Sequence, residues 1–166
     1  MLLTSTVLRV RPHREHDRLY TIYTKERGKL TVLGVGHAKI TSKLAGHLGP
    51  FVISELSVVP GRVWDKLTAA EALQSLGGFA QSLQAVGSGF YILELVDALT
   101  RENQPNELLW ELLLHSLAAL GSGENPSATV SDFEARVLPT LGEHPPLLEH
   151  INRELKSARL FERSAV

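Results

Sequence analysis

Hydrophobic and polar positions alternate with a period of two through the first third of the chain, the spacing of strands with one buried face. Leu2, Thr4, Thr6, Leu8 and Val10 share one side of a first strand over residues 2–11; Arg9 and Arg11 share the other. A polar turn, Pro12 to Asp17, leads to a second strand, Arg18 to Thr24, rich in Tyr, Ile and Thr. Lys25-Glu26-Arg27-Gly28 reads as a tight hairpin in which Gly28 supplies a positive φ. The third strand, Lys29 to Gly36, sets Leu30, Val32 and Gly34 against Thr31, Leu33 and Val35; Gly34 and Gly36 mark a bulge or sharp coil. A loop with Lys39 and Lys43 follows, then a fourth strand from Phe51 to Val59, closed by Pro60-Gly61. A fifth strand is weakly signalled around Arg62 to Lys66. Five short, coiled strands suit a small closed barrel of the OB type, and an SH3-like barrel fits the same pattern nearly as well.

After Leu67 the period lengthens to that of helices. Thr68-Ala69-Ala70-Glu71 has the form of a capping box and predicts a helix to about Val86. Ser88 is placed to cap the next, whose stripe is Ile92, Leu95, Val96 and Leu99. Pro105 sits in the first turn of a third, with Leu109, Leu112, Leu113, Leu117 and Leu120 inward and Gly121 at its end. Gly121 to Ser127 reads as a loop, Val130 to Leu141 as a fourth helix stopped by Gly142, and Pro145-Pro146 as the start of a last helix with Leu148, Ile151, Leu155 and Ala158 on one side. The expected fold class is α+β: an N-terminal five-stranded OB-fold β-barrel over residues 1–66, then an all-α bundle over 67–166. No Pro/Gly/Ser linker separates them, so they are expected to pack as one body.

Charge divides at the same place. Residues 1–66 hold eleven Lys and Arg against five Asp and Glu, whereas residues 67–166 hold six against thirteen. A basic module joined to an acidic one suggests different partners for each. With 43% hydrophobic residues a packed core is expected. The sequence has no cysteine, which removes disulfides and thiolate zinc sites. No signal-peptide-like run follows Met1, and no 18-residue apolar run occurs, so a cytoplasmic protein without a membrane partner is expected.

Catalytic patterns are missing. There is no GxxxxGK[ST], GxGxxG or HExxH. His13 and His16 flank Glu15 and lack a nameable third ligand, so a solvated turn explains them better than a metal. Glu94 and Asp97 lie one turn apart without a second acid pair, which points to surface or capping roles. The expectation is a binding protein, not an enzyme, with no cofactor. A nuclease would need paired acidic metal ligands in the basic half. The candidate DNA-binding residues are Arg9, Arg11, Arg14, Arg18, Lys25, Arg27, Lys29, Lys39 and Lys43, cations on strand ends and turns that can neutralise phosphates. Tyr20 and Tyr23 are candidate base-stacking platforms, although at least one must face the core.

Four stretches also resemble the RecO family, bacterial proteins of recombinational DNA repair. Val7 to Gly46 is similar to that family's N-terminal barrel and lysine-bearing loop, and Gly89 to Leu117 to its central helices with the Gln-Pro-Asn turn. FEARVLPTLGEHP, Phe133 to Pro145, and ELKSARLF, Glu154 to Phe161, are similar to its later helices. The spacing resembles a compact member, without the cysteine-rich zinc module or its remnant that usually follows the LG…P motif. The resemblance implies a recombination mediator that binds single- and double-stranded DNA, anneals complementary strands, and works with RecR to load RecA. It further implies a docking site on the helices for the acidic C-terminal tail of single-stranded-DNA-binding protein; Arg136, Arg153, Lys156 and Arg159 are the cations nominated for it. The other reading is a protein–protein adaptor, its helices binding an acidic tail and its barrel docking a partner such as RecR.

Overall fold

The computed structural model describes residues 1–39, 43–79 and 82–142, together with Ile151, Arg153 and Glu154. Five strands come first: β1 (Leu2–His13), β2 (Asp17–Thr24), β3 (Gly28–Gly34), β4 (Val52–Val59) and β5 (Asp65–Ser75). Three helices follow: α1 (Leu83–Leu99), α2 (Glu107–Gly121) and α3 (Pro126–Leu141). The strands close in the order β1-β2-β3-β5-β4, with β3 and β5 parallel and every other pair antiparallel. That closure is the OB arrangement, and the SH3-like alternative falls away. The parallel pair needs a crossover, here supplied by the loop after β3, a 3-10 turn at Ala45–His47 and β4 itself.

The alternation in β1 is present, but its inward face is the one opposite to that expected. Leu3 and Val7 fill the barrel, whereas Leu2 and Val10 are 61% and 44% exposed. Leu8 is the extra residue of a bulge between Val7↔Ile22 and Arg9↔Thr21, and it is buried under the helices. The β2–β3 hairpin turns at Gly28 as expected, with φ of 71°. A Cβ there would also lie 2.3 Å from the Gln104 carbonyl oxygen, so both backbone conformation and space require glycine.

The helix expected from Thr68 to Val86 does not form. Residues 65–75 are β5, paired with β4 from Val59↔Lys66 to Val52↔Ser75. Most of β5 is exposed and only Leu67 is buried, so the strand has little alternation to show. Ala69, Ala70, Glu71, Ala72 and Gln74 are good helix formers. The unpaired edges of β3 and β4 override that preference, because β5 satisfies their free N–H and C=O groups and closes the barrel.

The helices begin at caps other than those expected. Ser82, not Ser88, caps α1 by accepting from the Ala85 N–H. Asn106 caps α2, which puts Pro105 outside it. Asn125 caps α3 with Pro126 in its first turn, four residues ahead of the expected start, and Gly142 ends it at φ of 72°. Ile151, Arg153 and Glu154 are helical and Ile151 is buried; the other residues of the expected last helix lie outside the described residues.

Two apolar clusters form the core. One fills the barrel with Tyr20, Ile22, Leu30, Val32, Leu56, Val58 and their neighbours. The other binds barrel to bundle: Leu8, Tyr23, Phe51 and Ile53 pack with Ile92, Leu95, Trp110, Leu113 and Phe133. Tyr23 stacks on Trp110 with centroids 6.5 Å apart, and Phe51 on Phe79 at 3.9 Å. At the end of β5 the main chain itself meets α2. The Gly78 N–H donates to the Gly121 carbonyl at 2.9 Å, and a Cβ on Gly121 would lie 2.0 Å from the Leu76 oxygen.

Candidate nucleic-acid interface

The nine barrel cations named from sequence fall into two groups. Three are paired with groups on or beside the helical half. Arg9 Nη2 is 3.1 Å from Asp97 Oδ2. Lys29 Nζ is 3.2 Å from Asp97 Oδ1, donates to the Asp97 carbonyl at 2.6 Å, and has a side chain only 14% exposed. Arg27 reaches Asp65 Oδ2 at 3.2 Å and Asn103 Oδ1 at 2.5 Å. Thr31 donates to Glu102 at 2.8 Å on the same flank. Here β3 is sewn to α1 and to the segment ahead of α2. A phosphate approaching it would meet Asp97 and Glu102, and Arg9, Arg27 and Lys29 are already engaged at the junction of barrel and helices.

The other group lies elsewhere. Arg11, at the end of β1, and Arg14, in the β1–β2 turn, are exposed; Arg18, opening β2, is half-buried and donates to the Asp17 carbonyl at 3.0 Å. Two hydrogen bonds bring the loop after β3 to this turn: Ala38 N–H to the His16 carbonyl, 2.9 Å, and Gly36 N–H to Asp17 Oδ1, 2.8 Å. Exposed Lys39 therefore joins Arg11, Arg14 and Arg18 at one end of the barrel. Lys25 is exposed at the opposite end of β2, its N–H bonded to the Thr4 carbonyl at 3.0 Å. Lys43 is exposed ahead of the 3-10 turn. The cluster is not purely positive: Glu15 is exposed in the turn and lies 3.8 Å from His16.

The β4–β5 loop reaches the same region, where Trp64 stands edge-to-face against His13 with centroids 5.1 Å apart at 77°. In OB folds the β1–β2 and β4–β5 loops and the β2–β3 face take oligonucleotides; here the β4–β5 loop touches the last residue of β1, next to the β1–β2 turn. Sequence reading missed Trp64 and the exposed Arg62 beside it because residues 62–66 were assigned to a strand. The signal was available: a tryptophan two residues after an arginine, directly behind Pro60-Gly61.

Neither tyrosine is a stacking platform. Tyr20 is 4% exposed inside the barrel, and Tyr23 is 0% exposed beneath the helices. Both faces of β2 are covered, one by the barrel interior and one by the bundle. Burial raises both phenol pKa values, with Arg18 opposing in Tyr20. The Tyr20 hydroxyl meets Nδ1 of buried His37 at 3.1 Å. Burial lowers the His37 pKa, against a smaller opposing effect of Asp17.

Of the four cations nominated for tail binding, Arg136 and Arg153 are among the described residues. Arg136 pairs along α3 with Asp132 at 3.2 Å, Arg153 is exposed, and Lys156 and Arg159 lie outside the described residues. A cleft of about 360 Å³ does open between barrel and bundle, lined by Tyr23, Leu99, Leu141 and Pro105 with Arg101 among its polar residues. Arg101 is exposed and was not among the four. Among the described residues no three His, Asp or Glu are grouped to hold a metal ion, and no helix is long and apolar enough to cross a membrane.

The family model for the N-terminal part of Recombination protein O matches residues 3–76, and that for its C-terminal part matches residues 80–162. The two meet just past the end of β5. The chain is 36% identical over 141 residues to the DNA repair protein RecO of Pelotomaculum thermopropionicum, covering 85% of this chain and 55% of that protein. It is 33% identical over 145 residues to that of Desulforamulus reducens (87% and 56%), and 33% over 138 residues to that of Dehalococcoides mccartyi (83% and 54%). It thus spans a little over half the length of these curated relatives. Closed basic barrel, helical half and both family matches agree: the chain belongs to the Recombination protein O family of DNA repair proteins.

Proposed function

We propose that this chain serves DNA repair and recombination by binding single- and double-stranded DNA at the end of its barrel where the β1–β2 turn, the loop after β3 and the β4–β5 loop converge. The observation that carries the reading is the separation of the cations. Arg9, Arg27 and Lys29 are compensated by Asp97 and Asp65, with Asn103 also accepting from Arg27, while Arg11, Arg14 and Lys39 stay exposed together at the other site. Such a surface screens the mutual repulsion of two phosphate backbones by counterion release and needs no nucleotide hydrolysis. Strand annealing, and RecA loading together with RecR, are the mediator roles it would serve, as a binding protein rather than an enzyme, in a cytoplasmic, nucleoid-associated setting.

The test is equilibrium binding of a labelled oligonucleotide across a salt series. Reversing Arg11, Arg14 and Lys39 to Glu should weaken single-stranded DNA about 10- to 100-fold at low salt and flatten the log–log slope by about 2, near 0.7 per lost phosphate contact. Unchanged affinity and slope would remove this face from consideration.

A second reading concerns the cleft. Its mixed lining, polar through Thr100, Gln104 and Asn106 and with Arg101 to pair a carboxylate, suits an acidic peptide tail such as that of single-stranded-DNA-binding protein. Arg101→Glu should abolish capture of such a tail peptide in a titration while leaving DNA affinity unchanged.

A further inference from the structure

We infer that Trp64, steadied by His13, is a stacking subsite for an unpaired nucleobase, so that this end of the barrel holds single strands by their bases as well as their phosphates. The inference rests on the DNA-binding reading above and goes beyond it in naming the group and the strand it selects. Trp64 is the one tryptophan outside the core; Trp110 is 3% exposed and buried against Tyr23. Trp64 belongs to neither apolar cluster, lies in a loop, and is only partly covered. Its neighbour Val63 is 73% exposed, so the loop as a whole is not folded into the barrel. A large ring kept out of a well-filled core needs another use.

The contact with His13 supplies orientation. An edge-to-face pair at 5.1 Å and 77° engages at most one face of one ring. Each ring therefore keeps at least one face that the other does not touch, and His13, at the end of β1, ties the loop to the strand bearing Arg11. Arg62, Arg14 and Arg11 are exposed on the two chain segments that meet here. Phosphates on the arginines and a base on the indole would be bound together, the combination used for single strands without sequence preference. A duplex keeps its bases stacked and paired and has nothing to offer the ring. Trp64 should therefore separate single from double strands, which the arginines cannot do.

The experiment uses the whole chain and three probes of equal length: an oligothymidylate, an abasic oligonucleotide and a duplex. Binding is followed by anisotropy of a label on the DNA and, in parallel, by tryptophan emission. The oligothymidylate should quench emission in the wild type and fail to do so in Trp64→Phe, which leaves only buried Trp110 to report. The abasic strand should bind without quenching. Trp64→Ala should weaken the oligothymidylate about tenfold, a typical stacking loss, at an unchanged salt slope, with duplex and abasic affinities within twofold of wild type. Trp64→Phe, keeping a ring, should recover most of the loss. Oligothymidylate binding by anisotropy with no Trp64 quenching overturns the stacking inference and leaves DNA binding intact. An equal loss for all three probes in Trp64→Ala also overturns it, because the indole then only supports the loop. No DNA binding by the wild type overturns both readings.

Discussion

Two groups of basic side chains, both on the barrel and indistinguishable by residue type, have opposite fates. Arg9, Arg27 and Lys29 face the helical half and are matched there by Asp97 and Asn103, with Asp65 from β5. Arg11, Arg14 and Lys39 lie at the end of the barrel and have no carboxylate within ion-pair distance among the described residues. Arg9 and Arg11 are two residues apart on β1, so strand periodicity puts them on the same face. What separates them is α1, whose Asp97 pairs with Arg9 and leaves Arg11 without a carboxylate among the described residues. Local charge density in a sequence counts cations; only the tertiary arrangement says which remain available.

The largest effect should come from removing the shared acid. Asp97→Ala takes the carboxylate from Lys29, 14% exposed, and leaves it the main-chain carbonyl of residue 97, and should lower stability by about 1.5–3 kcal/mol, read as a shift in the urea midpoint. DNA affinity of the folded fraction should hardly change. A large DNA effect with no loss of stability would invert the comparison. The triple reversal of Arg11, Arg14 and Lys39 is its mirror image: a loss of DNA affinity, with the urea midpoint moved by no more than about 0.5 kcal/mol, as for exposed charges. Arg27→Ala should be intermediate. Its pair with Asp65 is about one-third exposed on each side, so about 0.5–1 kcal/mol is expected, again with DNA binding spared.

The smallest effect concerns pH. His37 is buried in the loop that carries Lys39, and its folded pKa lies below the ordinary 6.5. Below pH 6.5 the unfolded chain therefore takes up a proton that the folded chain resists. The stabilisation is complete above that pH and is lost as pH falls toward the folded value. Stability measured from pH 7.5 to 5 should decline, and His37→Gln should flatten the decline.

Much of the barrel could be read directly. The first four strands and the hairpin at Gly28 follow from period-two spacing and a glycine at positive φ. β5 could not be, because Ala69 to Gln74 prefer a helix locally and the pairing that overrules them comes from β3 and β4. The caps were misplaced for a smaller reason: Ser82 and Ser88 are both good cap residues, and only packing chooses between them. Of the candidate site, the basic end was legible as residue types but not as a place. The Asp97 pairs join residues far apart in the chain, and Tyr20 and Tyr23 looked usable until both faces of β2 proved covered.

At residues 77 and 121 the end of the barrel and the second helix touch through bare main chain, with a hydrogen bond from Gly78 to Gly121 and no room for even one methyl group. A joint of that kind has no side chain to act as a bearing or slip past its neighbour. The end of β5 and the end of α2 are therefore bound to move as one piece, with no side-chain slack between them.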